Sequence, residues 1–337
     1  MSSLRMEDFF MLSIPFFPEK KQVVQIKPPV AEIRKIEFNG LTWIDITKPT
    51  KKEIDMLEEK YEFHELPLED CLTEHQRSKV DEYDDYCFIV MHFPRYRKET
   101  MRIDSEEMDI FLGHNYLITL HEGELKPLVA FSCMCESKLE ARENFMAEGS
   151  ALLLYEIIKR LFDYCFPMLD KIGTMLDGLN KTTFKQQSRE KLEEISRAKM
   201  QIINYRRIIK PLRPVILTLE KVIRRYLPED MEMYFDDITD KAEKVWDMLE
   251  NYKEVVEAID GTYESLTSYK MNSLMRTFTI LQVAILPMIL VSGLFSMNVK
   301  GIPMSNFYNA FWVVFGMIFV PTSIIACLMF FKRNKWF

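Results

Sequence analysis

The sequence predicts a cytosolic α/β domain, then a long α-helical stalk that runs into the first of two C-terminal transmembrane helices. Three observations carry this. Strand and turn signals fill residues 34–136 and then stop. Long segments of 3.6-residue periodicity follow. Two uncharged runs, 277–295 and 310–331, stand near the end of the chain, each long enough to cross roughly 30 Å of hydrocarbon.

With 337 residues, 48% of them apolar, the chain can bury one sizeable soluble core and more besides. Its formal charge of −7 suits cationic partners and argues against nucleic acid, whose binding surfaces are normally basic. The cysteines Cys71, Cys87, Cys133, Cys135, Cys165 and Cys327 form no CxxC pair and read as reduced thiols, with a Cys133–Cys135 soft-metal site as the alternative. Residues 1–33, acidic at Glu7 and Asp8 and broken by Pro15 and Pro18, read as an N-terminal extension rather than a signal peptide.

In the α/β domain, Asn39-Gly40 is a hairpin turn between two short strands. Thr50-Lys51-Lys52-Glu53 is a capping box opening a helix to about Tyr61. Tyr86–Phe93, Met108–Leu112 and Tyr116–His121, rich in β-branched and aromatic residues, read as strands. Residues 137–235 form a long helical hairpin, one arm from about Ser137 to Asn180 and the other from Ser188 to Leu227, kinked at Pro211 and Pro214. A third helix, 236–295, has no break before the membrane. Then come an outer loop, 296–309, a second transmembrane helix, 310–331, and a basic tail, 332–337. Lys332, Arg333 and Lys335 in the tail, against Lys300 alone in the loop, place both termini and the soluble domain in the cytosol of a plasma (inner) membrane.

The third helix is the most informative element. Asp236, Asp240, Glu243, Asp247, Glu250, Glu254 and Glu257 fall at alternating steps of 4 and 3, which puts them on one face. Val245, Met248 or Leu249, Tyr252, Val255 or Val256, Ile259, Tyr263 and Leu266 form an opposite, apolar face. Continued forward, the acidic stripe passes Gly261, Ser268, Asn272, Met275, Thr279, Gln282, Leu286, Ile289 and Gly293, with Asp260 and Glu264 flanking the glycine. Asn272, Thr279 and Gln282 would be costly against lipid, so they point to a water-filled path between subunits. The upper stripe reads either as the wall of that path or as a solvated outer face. Converging carboxylates would concentrate divalent cations, and Mg²⁺ in particular would pass still hydrated.

Asn272-Ser-Leu-Met275-Arg-Thr-Phe-Thr279, then Pro287, Gly293 and Ser296-Met297-Asn298, resemble the first transmembrane helix of the CorA family of divalent cation channels, with its signature tripeptide. Leu68-Glu69-Asp70, the run from His75 to Val80, that from Tyr86 to Val90, and Tyr234-Phe235-Asp236-Asp237 also match, so the resemblance spans about 35–337. It implies a funnel-shaped homopentamer with the long helices lining the pore. Ser296, Met297 and Asn298 would form the outer selectivity filter, Met275, Phe278 and Leu286 an apolar gate that dewets, and Asn272 a polar ring on the cytosolic side. Asp237, with Asp236 and Asp240, would hold a regulatory cation between subunits. The transported and regulatory ion would be Mg²⁺ or another divalent cation, with no organic cofactor.

Three departures accompany the match. Ser296 stands where the family signature has glycine. Val299-Lys300-Gly301-Ile302-Pro303 replaces an acidic entrance loop and resembles the zinc-transporting branch. Arg97 falls near the acid expected opposite Asp237, with Glu99 or Asp104 as substitutes. The functions in contention are a Mg²⁺ channel that also passes Co²⁺ or Ni²⁺, a zinc transporter, and a transport-inactive membrane sensor or scaffold. The five histidines, His64, His75, His92, His114 and His121, show no metalloenzyme spacing, and no enzyme activity is expected.

Overall fold

The computed structural model describes residues 31–73, 76–97, 99–183, 188–223, 232–297, 308–309, 312–316, 318–320 and 322–324. Six strands form one mixed sheet in the order β1-β2-β6-β5-β4-β3: β1 (Glu32–Phe38), β2 (Leu41–Thr47), β3 (Lys79–Glu82), β4 (Tyr86–Arg97), β5 (Arg102–Gly113) and β6 (Tyr116–His121). The pairings are antiparallel except β2 with β6. β1 and β2 meet through the expected turn, where Asn39 (φ 48°) and Gly40 (φ 83°) both take left-handed conformations.

Side-chain alternation along the central strands gives the sheet two buried faces. On one, Ile44, Ile46, Phe88, Val90, Phe111, Ile118 and Leu120 pack under α1 (Lys51–Tyr61) and α2 (Glu65–Asp70). The capping box is present at the start of α1, where the Glu53 carboxylate accepts from the Thr50 backbone N–H at 3.0 Å. On the other face, Trp43, Ile89, Met91, Phe93, Met108 and Ile110 join the core beneath the later helices.

The first predicted helical arm is corrected. In place of one helix from Ser137 to Asn180 there are two, α4 (Leu139–Met146) and α5 (Ser150–Thr183), preceded by α3 (Lys126–Ser137). Lys138 is extended (φ −122°, ψ 122°) between α3 and α4. Gly149, at φ +105°, stands just before α5 in a conformation that side chains disfavour. The second arm is α6 (Arg189–Ile223), a single helix through Pro211 and Pro214.

The third helix is unbroken: α7 runs Glu232–Ser296, 65 residues or about 100 Å at 1.5 Å per residue. Phe235, Ile238, Ala242, Val245, Leu249, Val256 and Ile259 are buried along its first half against α5 and α6. From Val245 to Ile259 these are positions of the predicted apolar face, whose Tyr252, Tyr263 and Leu266 are partly buried, and the spacing of three and four is what one side of a helix needs. Within the second uncharged run, 312–316, 318–320 and 322–324 are helical. The N-terminal extension up to residue 30, most of the outer loop and the basic tail lie outside the described residues.

Candidate functional site

The acidic face of α7 divides in two. Asp236, Asp240, Asp247, Glu254, Glu257 and Glu264 are exposed on the protomer. Glu243 and Glu250 are instead half-buried against α6. Arg213 donates Nε and Nη2 to the two Glu243 oxygens at 2.9 and 2.5 Å, and Arg206 pairs with Glu250. The same two guanidinium groups lie 5.2 and 5.1 Å from the ring of Trp246, so the indole is clasped between cations. Lower down, Asp260 pairs with Lys199 at 2.9 Å. The acidic face of the stalk therefore includes ion pairs inside the protomer as well as exposed carboxylates.

The clasp was missed from sequence, although a signal existed. Arg206 and Arg213 are seven apart on one helix, as are Glu243 and Glu250 on the next, so two heptad-spaced charge sets of opposite sign can meet.

Past Tyr263, α7 leaves the soluble core. Its apolar section is long enough to cross a membrane and none of that window is buried. Asn272, Met275, Phe278, Thr279, Gln282, Leu286, Ile289 and Gly293 are all exposed on the protomer. From 100° per residue, these eight fall within an arc of about 120°. Thr279 returns its hydroxyl to the Met275 carbonyl at 2.9 Å, which satisfies it within the helix. Asn272 and Gln282 have no hydrogen-bond partner among the described residues. Ser296 and Met297 are exposed at the end of the helix; Asn298 and Lys300 lie outside the described residues.

Asp237 sits at the top of α7, where the Tyr155 hydroxyl of α5 donates to its Oδ2 at 3.1 Å. Burial and Asp237 raise the Tyr155 pKa, which keeps that hydroxyl a donor at neutral pH. Arg97 pairs with Asp104 at 3.0 Å, so the arginine occupies one of its own proposed substitutes. Among the described residues no group of three or more His, Cys, Asp or Glu is placed to hold a metal within one protomer. The Cys133–Cys135 alternative is corrected, since Cys133 is exposed and Cys135 buried on α3, as residues two apart on a helix do not face each other.

Two further polar sites in the sheet had no sequence signal. Asp45, fully buried on β2, accepts from Thr119 Oγ1 at 2.7 Å and from His121 Nε2 at 3.1 Å. Because His121 Nδ1 accepts from the Gly123 N–H at 2.9 Å, Nε2 carries the proton. Trp43 Nε1 donates to Thr119, and Arg34 lies 3.5 Å from Asp45. Burial alone would raise the Asp45 pKa, but the hydrogen bonds from His121 and Thr119 outweigh it and hold the group below the ordinary carboxylate value. Asp109 on β5 is the opposite case. Burial, then the charge of Glu107, push it up to about 8.

The chain is 28% identical over 332 residues to YfjQ of Bacillus subtilis, covering 97% of this chain and 99% of that one. It is 27% identical over 300 residues to the cobalt/magnesium transport protein CorA of Thermotoga maritima, covering 88% and 83%. The complete CorA magnesium transporter structure from Methanocaldococcus jannaschii superposes with a TM-score of 0.75 at 22% identity, covering 92% of this chain and 99% of that one. That likeness shows a shared fold, the same soluble domain and long helix. The sequence model of the CorA-like Mg²⁺ transporter protein family matches residues 38–333, and the chain belongs to that family.

Proposed function

We propose that five copies of this chain form a divalent-cation channel in the plasma membrane, passing Mg²⁺ and, with it, Co²⁺ or Ni²⁺. The pore follows the exposed face of α7 from Asn272 to Gly293. Its outer end is a filter of Ser296, Met297 and Asn298, and its inner approach is the exposed carboxylates of the stalk. The run 310–331 is a second membrane span outside the first, and both termini are cytosolic. The observation that carries this reading is the continuity of α7. One unbroken helix joins Asp237 in the soluble domain to the membrane segment, so a cation bound near Asp237 acts on Asn272 through a rod of about 50 Å.

Gating follows from that lever. Met275, Phe278 and Leu286 are apolar and exposed, and a ring of such side chains excludes water when narrow. Cation bound between subunits at Asp237, Asp236 and Asp240 keeps the rods together; its loss lets them part and the constriction wet. The Tyr155 hydroxyl holds one Asp237 oxygen within the subunit and leaves the other for a neighbour.

A zinc transporter is the second reading, favoured by Lys300 and the lack of any acidic residue after Asn298. Uptake of Mg²⁺, Co²⁺, Ni²⁺ and Zn²⁺ into liposomes carrying the purified protein separates the two. Asn298→Ala abolishes selective flux while pentamers still assemble. Normal selective flux in that variant removes the filter assignment, and no flux of any ion from folded pentamers favours a sensor or scaffold.

A further inference from the structure

The soluble domain holds a second concentration of carboxylates, away from the stalk. A cavity of about 810 Å³ opens where α2 and α6 approach the edge of the sheet, with Cys71, His92, Glu107, Asp109 and Arg207 in its walls. Two other carboxylates there are already matched, Asp104 by Arg97 at 3.0 Å and Glu106 by Arg95 at 2.7 Å. Glu107 and Asp109 are matched by no arginine or lysine. They stand two apart on β5 and so share one face of the sheet.

Asp109 is only 6% exposed, lines the cavity, and has no hydrogen-bond partner for Oδ1. Glu107 meets His92 Nε2 at 3.1 Å, while His92 Nδ1 is engaged with Ser78 at 3.0 Å. Lys79, on β3 beyond β4, is divided between Asp70 at 2.7 Å and Asp81 at 2.6 Å. Among the described lining residues Arg207 is the one fixed positive charge. A buried carboxyl oxygen without a donor is unfavourable, and a second carboxylate beside it makes it more so.

We propose that this cavity binds a hydrated divalent cation, held by Glu107 and Asp109 through the water shell of the ion. The ion supplies the charge that the pair lacks, and one of its waters supplies the donor that Oδ1 lacks. No three carboxylate, His or Cys side chains among the described residues converge for a direct cage, which suits Mg²⁺, a cation that keeps several waters and takes one or two carboxylates. Six waters occupy on the order of 180 Å³ at about 30 Å³ each, so the shell fits the cavity. None of the wall residues lies on α7, so the site is separate from the pore face and from Asp237.

The test uses the full-length protein in detergent micelles, with Mn²⁺ counted by electron paramagnetic resonance and displaced by Mg²⁺. Asp109→Asn and Glu107→Gln each weaken one Mn²⁺ per subunit by about 10- to 100-fold, and the loss adds to that of Asp237→Ala. Glu107 is partly exposed, so its variant carries the test if Asp109→Asn does not fold. Crystals soaked in Mn²⁺ show an anomalous peak in the cavity. Wild-type Mn²⁺ binding in both variants, or anomalous density confined to the pore and stalk, overturns the proposal.

Discussion

Truncating Asp45 to alanine removes the acceptor at the centre of a buried network. Thr119 Oγ1 and His121 Nε2 lose their partner, and an orphaned buried donor costs about 1–3 kcal/mol. Arg34, with its side chain 12% exposed, loses the carboxylate 3.5 Å away. Breaking a buried pair from one side costs about 3–5 kcal/mol in total. At about 2–4 °C per kcal/mol for a domain of this size, the thermal midpoint falls by roughly 10 °C.

The assay is thermal unfolding of the full-length protein in detergent, read by near-ultraviolet circular dichroism, to which the buried Trp43 indole contributes. The pH dependence has a definite sign. The folded pKa of Asp45 lies below its unfolded value, so its contribution is present at neutral pH and is lost as pH falls from about 4 downward. Wild type and Asp45→Ala therefore converge in acid. A midpoint shift under about 2 °C at pH 7, or a gap that widens in acid, refutes the reasoning.

Asp109 behaves in the opposite sense. Its folded pKa of about 8 exceeds the unfolded value, so the folded state holds its proton more tightly and metal-free protein loses stability as pH rises from about 4 to about 8. Asp109→Asn removes that slope; thermal midpoints that fall in parallel between pH 6 and 9 contradict it. Trp246→Ala removes two cation–π contacts on partly exposed arginines, on the order of 2 kcal/mol with the lost packing. It raises hydrogen exchange in residues 232–260 and leaves the sheet unchanged, and equal exchange in the stalk refutes the clasp. Asp237→Ala raises flux at high internal Mg²⁺, measured by dye-loaded liposomes; an unchanged Mg²⁺ response removes its regulatory role.

What was legible in the sequence is what local pattern alone controls. Asn39-Gly40 can take the left-handed turn that few other pairs take, and Thr50 with Glu53 satisfies a helix start from within four residues. The apolar face of α7 was legible because burial along one helix leaves a period in the chain. The break in the first helical arm was not. Lys138 carries no strong stop signal, and a single glycine at 149 is tolerated in many helices.

The sequence by itself determined that the chain holds an α/β domain, a very long helix and runs apolar enough for a membrane, because periodicity and uncharged length need no partner to be read. Only the tertiary structure decided which carboxylates of α7 are free. Asp247 and Glu254 face outward while Glu243 and Glu250 meet arginines about 30 and 44 residues earlier in the chain. It decided likewise that Asp45 Oδ1 takes donors from Thr119 and His121 while Asp109 Oδ1 takes none. A carboxylate looks the same in any sequence, and its ionisation and partners depend on what the fold brings within hydrogen-bonding distance.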